Sequence, residues 1–300
     1  MSELVVGPAE AGERLDLFVG KKLSLSRAKL KELFEAGLVR VDGRRAKKGQ
    51  TVAEGQRVGV EVPVEAPRAA VPEEGPLTVL HEDADRVFVD KPAGMPVHPL
   101  AAGETGTVAN RLAARFPGLV DASEDPREAG LVHRLDIDTS GVLLAAKSRE
   151  AWSALRAEFS GANSSAKKLY VALVTGPLGD EGEIELPLVQ HGDHARPALS
   201  SDAAARPALS KFRVLGRFGL DSLVEVQIFT GVMHQVRAHL AGIGAPIVGD
   251  ALYGGRPHGG LSRFFLHAAS LSVSYPTPVT VTSPLPPELE AVLDTLGPRS

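Results

Sequence analysis

The stretch His133-Arg134-Leu135-Asp136-Ile137-Asp138-Thr139-Ser140-Gly141 constrains this chain more than any other. Apolar residues lead into it (Leu131, Val132) and out of it (Val142 to Ala146). Between them sit two carboxylates, a guanidinium, an imidazole and two hydroxyls, closed by a glycine. A core strand has no need of such polarity. Each polar group buried without a partner costs roughly 1–3 kcal/mol, and an unpaired charge more. Polar residues at a strand end are instead how a rigid scaffold presents chemistry.

The 300 residues, 43% of them hydrophobic, suit one large domain or two ordinary ones. The absence of cysteine excludes disulfides, thiolate zinc sites and a cysteine nucleophile. The first residues lack the basic segment and apolar core of a signal peptide, and no apolar run reaches membrane-spanning length. The expectation is a soluble, cytoplasmic monomer with no membrane partner. Charge is uneven. Lys21 to Lys48 holds ten basic and three acidic residues, while the whole chain carries −4. A basic module on an acidic body suits a polyanion docking at one end, although a charge run is more often a solvated face.

Within residues 13–62 the spacing predicts two helices and a hairpin. Leu15, Phe18 and Val19 share one helical face, and Leu30, Leu33 and Phe34 share another. Ser26 is the expected N-cap, Gly37 the C-terminal stop and Asp42-Gly43 the hairpin turn. With Ser26-Arg27, Gly37-Leu38-Val39, Val41-Asp42-Gly43 and the Gly55 turn, this segment resembles the S-four-type RNA-binding domain, named after a ribosomal protein. The resemblance implies that Arg27, Lys29, Lys31, Arg40, Arg44 and Lys48 contact RNA phosphates. Such contacts position RNA more than they specify its sequence. The expected division is an RNA-binding domain over 1–62, a proline-rich linker over 63–76 and a larger domain over 77–300.

In the larger domain short apolar runs outnumber helical patterns and no regular β-α alternation occurs, so an α+β fold with a mixed, mainly antiparallel sheet is expected. The segment Ala195–Ser200 (ARPALS) recurs at Ala205–Ser210, with no evident physical reason. The C-terminal PPELEAVLDTL reads as a short surface helix. No phosphate-binding glycine loop, dinucleotide fingerprint or nucleophile elbow occurs, and His234 and His239 lack a zinc-binding spacing. What remains are polar clusters beside apolar runs: Lys91 to Pro99, the nonapeptide, Lys168 to Ala172, Thr230 to His239, and Gly249 to Gly254 with Leu266 to Ala268.

That ordered set resembles the RluA-type family of pseudouridine synthases, whose signature the nonapeptide matches almost letter for letter. The resemblance covers about residues 77–280 and implies an RNA isomerase using no cofactor and no metal. It implies Asp136 as the catalytic carboxylate, Arg237 as its cationic partner in a salt bridge, Tyr170 stacked on the uracil, and Arg134 entering the space that the flipped uridine leaves. With the N-terminal domain it implies large-subunit ribosomal RNA as partner. The alternatives are a transfer-RNA synthase and a catalytically impaired RNA-binding protein on the same scaffold. Asp138, Thr139 and Ser140 are expected to brace the loop by local hydrogen bonds. His133, His234 and His267 are expected to be structural, and Tyr253 and Trp152 to pack. Val232 and Met233 depart from the family pattern, which has arginine and a small residue there. Ala251 stands where the family favours proline.

Overall fold

The structure, a computed structural model, describes residues 2–62, 68–160 and 165–297. The chain forms two compact units, residues 1–66 and 67–300. No helix among the described residues is long and apolar enough to cross a membrane.

In the first unit, strands β1 (Ser2–Val5), β2 (Val39–Val41), β3 (Arg44–Arg45) and β4 (Arg57–Val60) form an antiparallel sheet in the order β1-β4-β2-β3. Helices α1 (Leu15–Leu23) and α2 (Arg27–Glu35) bury Leu15, Phe18, Val19, Leu30, Leu33 and Phe34 in its core. Ser26 Oγ accepts from the Lys29 amide at 3.2 Å and caps α2. At the other end Leu38 N bonds Leu33 O (2.9 Å) and Gly37 N bonds Phe34 O (3.1 Å), which closes the helix as a Schellman motif. Asp42 and Gly43 both have positive φ (48° and 79°), as a two-residue type I′ hairpin requires.

The second unit is built on a nine-stranded sheet. Its strands are β5 (Thr78–Glu82), β6 (Arg86–Lys91), β7 (Ser140–Ala146), β8 (Lys167–Thr175) and β9 (Glu181–Glu185). A separate hairpin, β10 (Leu188–His191) and β11 (His194–Pro197), intervenes, and β12 (Leu209–Phe218), β13 (Asp221–Ile228), β14 (Leu266–Val273) and β15 (Val279–Thr282) complete the sheet. The order is β5-β6-β7-β14-β8-β13-β12-β9, with β15 also paired to β14. All pairings are antiparallel except β14 with β7. The helices are α3 (Val108–Arg115), α4 (Arg149–Glu158), α5 (Gln235–Gly242) and α6 (Pro287–Thr295).

The expected linker differs from what is observed. Residues 63–67 lie outside the described residues, and residues 68–76 pack onto the second unit. Ala70 is buried in its core, and Asn110 Nδ2 donates to Val71 O at 2.8 Å. The prolines prevent regular structure here but not docking, because neighbouring side chains satisfy the backbone. The C-terminal helix is likewise more than a surface element, since Leu289 and Val292 of α6 belong to the main core.

The parallel β7–β14 pairing is short, matching Ser140 with His267 and Gly141 with Ala268. Gly141 has φ +116°, and a Cβ there would run into the Ala268 backbone. We expect Gly141→Ala to lower stability by about 3 kcal/mol, combining overpacking with the cost of a side chain at positive φ. In a unit of this size that lowers Tm by about 10 °C. A Tm within about 2 °C of wild type would refute this account of the junction.

Candidate active site

Residues 131–133 run beside β7: Leu131 bridges to Ala145, Val132 N bonds Leu144 O (3.1 Å), and Leu144 N bonds His133 Nε2 (3.2 Å). The apolar runs are thus two sides of a hairpin, and Arg134 to Thr139 form its tip. Leu135 is buried and anchors the tip. Thr139 N bonds Asp136 O at 3.1 Å and closes the turn.

Two buried cations hold this tip from below. Lys91 Nζ donates to Ile137 O (2.6 Å) and Pro92 O (2.8 Å). Arg263 donates to Asp138 O (3.0 Å) and Ser140 Oγ (3.0 Å), and pairs with Glu288 of α6 at 2.8 Å. Ser140 Oγ also meets His267 Nδ1 at 2.9 Å. The loop is thus braced by the local Thr139 N–Asp136 O bond together with these long-range bonds, while Thr139 Oγ1 is buried without a hydrogen-bond partner.

Helix α5 brings in the third cation. Its N-cap is His234, in a left-handed conformation, and Gln235 secures the preceding turn by accepting from Thr230 Oγ1 (2.8 Å) and Val232 N (3.2 Å). Arg237, on the first turn, is sandwiched between Tyr253 and Phe264, its guanidinium carbon 5.0 and 4.2 Å from the ring centroids. Asp250 grips it twice, at Nε (2.7 Å) and Nη2 (2.9 Å). The remaining nitrogen, Nη1, donates to Asp136 Oδ2 at 3.1 Å. Side-chain exposure is 1% for Asp250, 7% for Arg237 and 21% for Asp136, so Asp136 is the carboxylate of the trio that solvent or a ligand reaches. Burial opposes the charge of Arg237, but its bonds to Asp250 and the charges of both acids outweigh this and raise its pKa.

Asp136 and Tyr170 line one cleft of about 720 Å³, within the usual range of ligand sites. Burial, reinforced by Asp136, raises the Tyr170 pKa, so the phenol stays protonated. Arg134 is exposed on the cleft wall and makes no hydrogen bond or ion pair with a described residue. His234 Nε2 stands 3.8 Å from Asp136 Oδ1, and its Nδ1 meets Tyr253 Oη at 3.1 Å. Burial lowers the His234 pKa against the pull of Asp136. His234 thus belongs to the cleft, and Tyr253 is a hydrogen-bonding residue rather than plain packing: its hydroxyl also bonds Ala195 O (2.8 Å) and Ala195 N (3.0 Å). His133 and His267 are enclosed and hydrogen-bonded; burial takes His133 down to about 3. Trp152 packs, with its Nε1 on Leu131 O at 3.1 Å.

The six cations singled out in the basic module lie on the first unit. Arg27, Arg40, Arg44 and Lys48 are exposed, whereas Lys29 pairs with Glu32 (3.2 Å) and Lys31 with Glu35 (3.8 Å). Among the described residues no group of three or more His, Cys, Asp or Glu could hold a metal ion. Sequence reasoning assigned no role to Lys91, Asp250 or Arg263. Lys91 and Asp250 lie in polar clusters that it noted; Arg263, in Leu261-Ser262-Arg263-Phe264-Phe265, carries no pattern.

The family model described as RNA pseudouridylate synthase matches residues 85–242, and the S4 domain model matches residues 13–58. A Chloroflexus aurantiacus protein named as an uncharacterized RNA pseudouridine synthase is 41% identical, over 99% of this chain and 94% of its own. A Xanthomonas campestris protein named ribosomal large subunit pseudouridine synthase D is 35% identical, over 99% of this chain and 92% of its own. Among solved structures, human RNA pseudouridylate synthase domain containing 1 superposes with TM-score 0.57 and 26% identity, covering 73% of this chain and 90% of that one.

The buried lysines set a pH dependence. Burial lowers Lys91 to about 7 and Lys168 to about 8, both from 10.5. Between about pH 7 and 10 the unfolded chain therefore binds more protons than the folded one, and unfolding free energy rises with pH. Urea titrations across that window are expected to show this rise and a flatter one for Lys91→Met. An equal slope in the variant would contradict it.

Proposed function

This chain belongs to the RNA pseudouridylate synthase family, and we propose that it isomerises uridine to pseudouridine in large-subunit ribosomal RNA with Asp136 as the reacting carboxylate. The family's reaction is an isomerisation. The bond from uracil N1 to ribose C1′ breaks, the detached ring turns, and C5 bonds to the same C1′. The C5 hydrogen leaves as a proton and N1 gains one, so nothing is added or lost overall.

The single observation that supports the site assignment is the reach of Arg237 to Asp136 at the cleft wall. Arg237 orients the carboxylate and sets a positive charge beside it, and both routes open to Asp136 use a carboxylate in that position. In one, Asp136 attacks C1′ as a nucleophile; in the other, it takes the 2′ proton as a base. Tyr170, uncharged and with its ring in the cleft, serves as the platform under the uracil, where stacking contributes about 1–3 kcal/mol. Arg134, unpaired at the rim, fills the space left when the uridine flips out. The exposed Arg27, Arg40, Arg44 and Lys48 of the first unit supply phosphate contacts. The choice of large-subunit ribosomal RNA rests on similarity to relatives named ribosomal large subunit pseudouridine synthase D, which match 99% and 85% of this chain.

Tritium release from transcripts labelled at uridine C5 tests this reading. Large-subunit ribosomal RNA should release tritium with the wild-type chain and not with Asp136→Asn. Release from transfer RNA alone would overturn the substrate, and release by Asp136→Asn at the wild-type rate would overturn the role of Asp136.

A further inference from the structure

The repeated ARPALS segment has a structural explanation that the sequence lacked. Both copies flank the same strand. In the β10–β11 hairpin Val189 faces Arg196 and Leu188 faces Pro197, all antiparallel. On the other side of β10, Leu188 exchanges both backbone hydrogen bonds with Arg206, at 2.9 and 2.8 Å. Each Arg-Pro pair thus occupies one edge of β10, where a missing proline amide does no harm.

The two arginines then diverge. Arg196 is engaged by Asp202 in a bidentate pair at 2.8 and 3.1 Å. Arg206 is exposed, makes no hydrogen bond or ion pair through its side chain with a described residue, and lines the cleft with Asp136 and Tyr170. Arg237 is committed to two acids, Arg156 to Val132 O (2.5 Å) and Lys168 to Thr230 O (3.3 Å), which leaves Arg134 and Arg206 as the arginines of the cleft without a side-chain partner among the described residues. Val232 lines the same cleft and packs on the buried cluster of Leu188, Ala208 and Ala238; Gln190, Ala205, Pro207 and Thr230, all uncharged, line it too.

We infer that Arg206 binds a phosphodiester of the RNA strand that delivers the target uridine to Asp136. The inference rests on the reading of this chain as an RNA-modifying enzyme. A guanidinium suits a phosphate because its planar fork bonds two oxygens at once. Its base is fixed, since its own amide and carbonyl are bonded to Leu188 and the following Pro207 restricts its backbone. The hairpin is tied to the catalytic end through the Tyr253 hydroxyl, which joins Ala195 to His234. Arg206 thus stands at a set position relative to Asp136, as an anchor for a flipped nucleotide must.

The test is the salt dependence of binding to a large-subunit ribosomal RNA transcript, using the full-length chain. Arg206→Ala should weaken binding and reduce the steepness of log K against log salt by about 0.7–0.9, the share of one phosphate contact. Arg206→Lys should restore most of that slope. Arg196→Ala, which removes an arginine already held by Asp202 and by Pro197 O, should keep the wild-type slope. A wild-type slope in Arg206→Ala, or an equal loss in Arg196→Ala, would overturn the inference. Tritium release from the same transcript is read separately. Its absence in the wild type would defeat the proposed substrate, while the slopes still decide the role of Arg206.

Discussion

The catalytic end of this protein depends on one guanidinium shared by two carboxylates. All three guanidinium nitrogens of Arg237 donate to a carboxylate: Nε and Nη2 to Asp250 and Nη1 to Asp136. A buried cation satisfied by one acid alone would have no reason to hold a second, exposed acid in place. Here the buried pair of Asp250 and Arg237 orients the guanidinium, and its Nη1 N–H fixes the carboxylate at the cleft. Breaking such a pair by removing one partner typically costs 3–5 kcal/mol, because the other charge stays buried. The rest of the unit serves this geometry. The β7 hairpin presents Asp136, the α5 turn presents Arg237, and the stretch after α5 presents Asp250.

A second set of charges fixes the loop that carries Asp136. Lys91 comes from the end of β6, and Arg263 precedes β14 while leaning on Glu288 of α6. Both donate to backbone carbonyls immediately after Asp136. They hold the loop's shape from beneath, without hydrogen-bonding the Asp136 carboxylate. The C-terminal helix therefore contributes to the position of the loop through one ion pair.

Much of this was legible in the sequence wherever local chemistry decides. The Ser26 cap, the Gly37 stop, the Asp42-Gly43 turn and the helical faces of α1 and α2 follow from short-range rules. The resemblance carried by the nonapeptide indicated the Asp136–Arg237 contact. What stayed hidden has a physical cause. Helix α5 buries Gln235 through Leu240 without a break, so it shows no polar face to reveal its period. Asp250 and Arg263 act through partners 13 to 125 residues away, a relation that spacing does not record. The docking of residues 68–76 was missed because proline content reports what a segment cannot form, not what it lies against.

The most direct test of this account is the single-turnover rate of C5 tritium release at saturating RNA in Asp250→Asn, a change that keeps the side chain's shape and removes its charge. If the buried pair positions Asp136, the rate falls more than about tenfold, equivalent to about 1.4 kcal/mol of barrier, while the variant, with a lowered Tm, stays folded at the assay temperature and RNA affinity stays near wild type. A folded Asp250→Asn protein that reacts at the wild-type rate, or one that loses only RNA affinity, would contradict it.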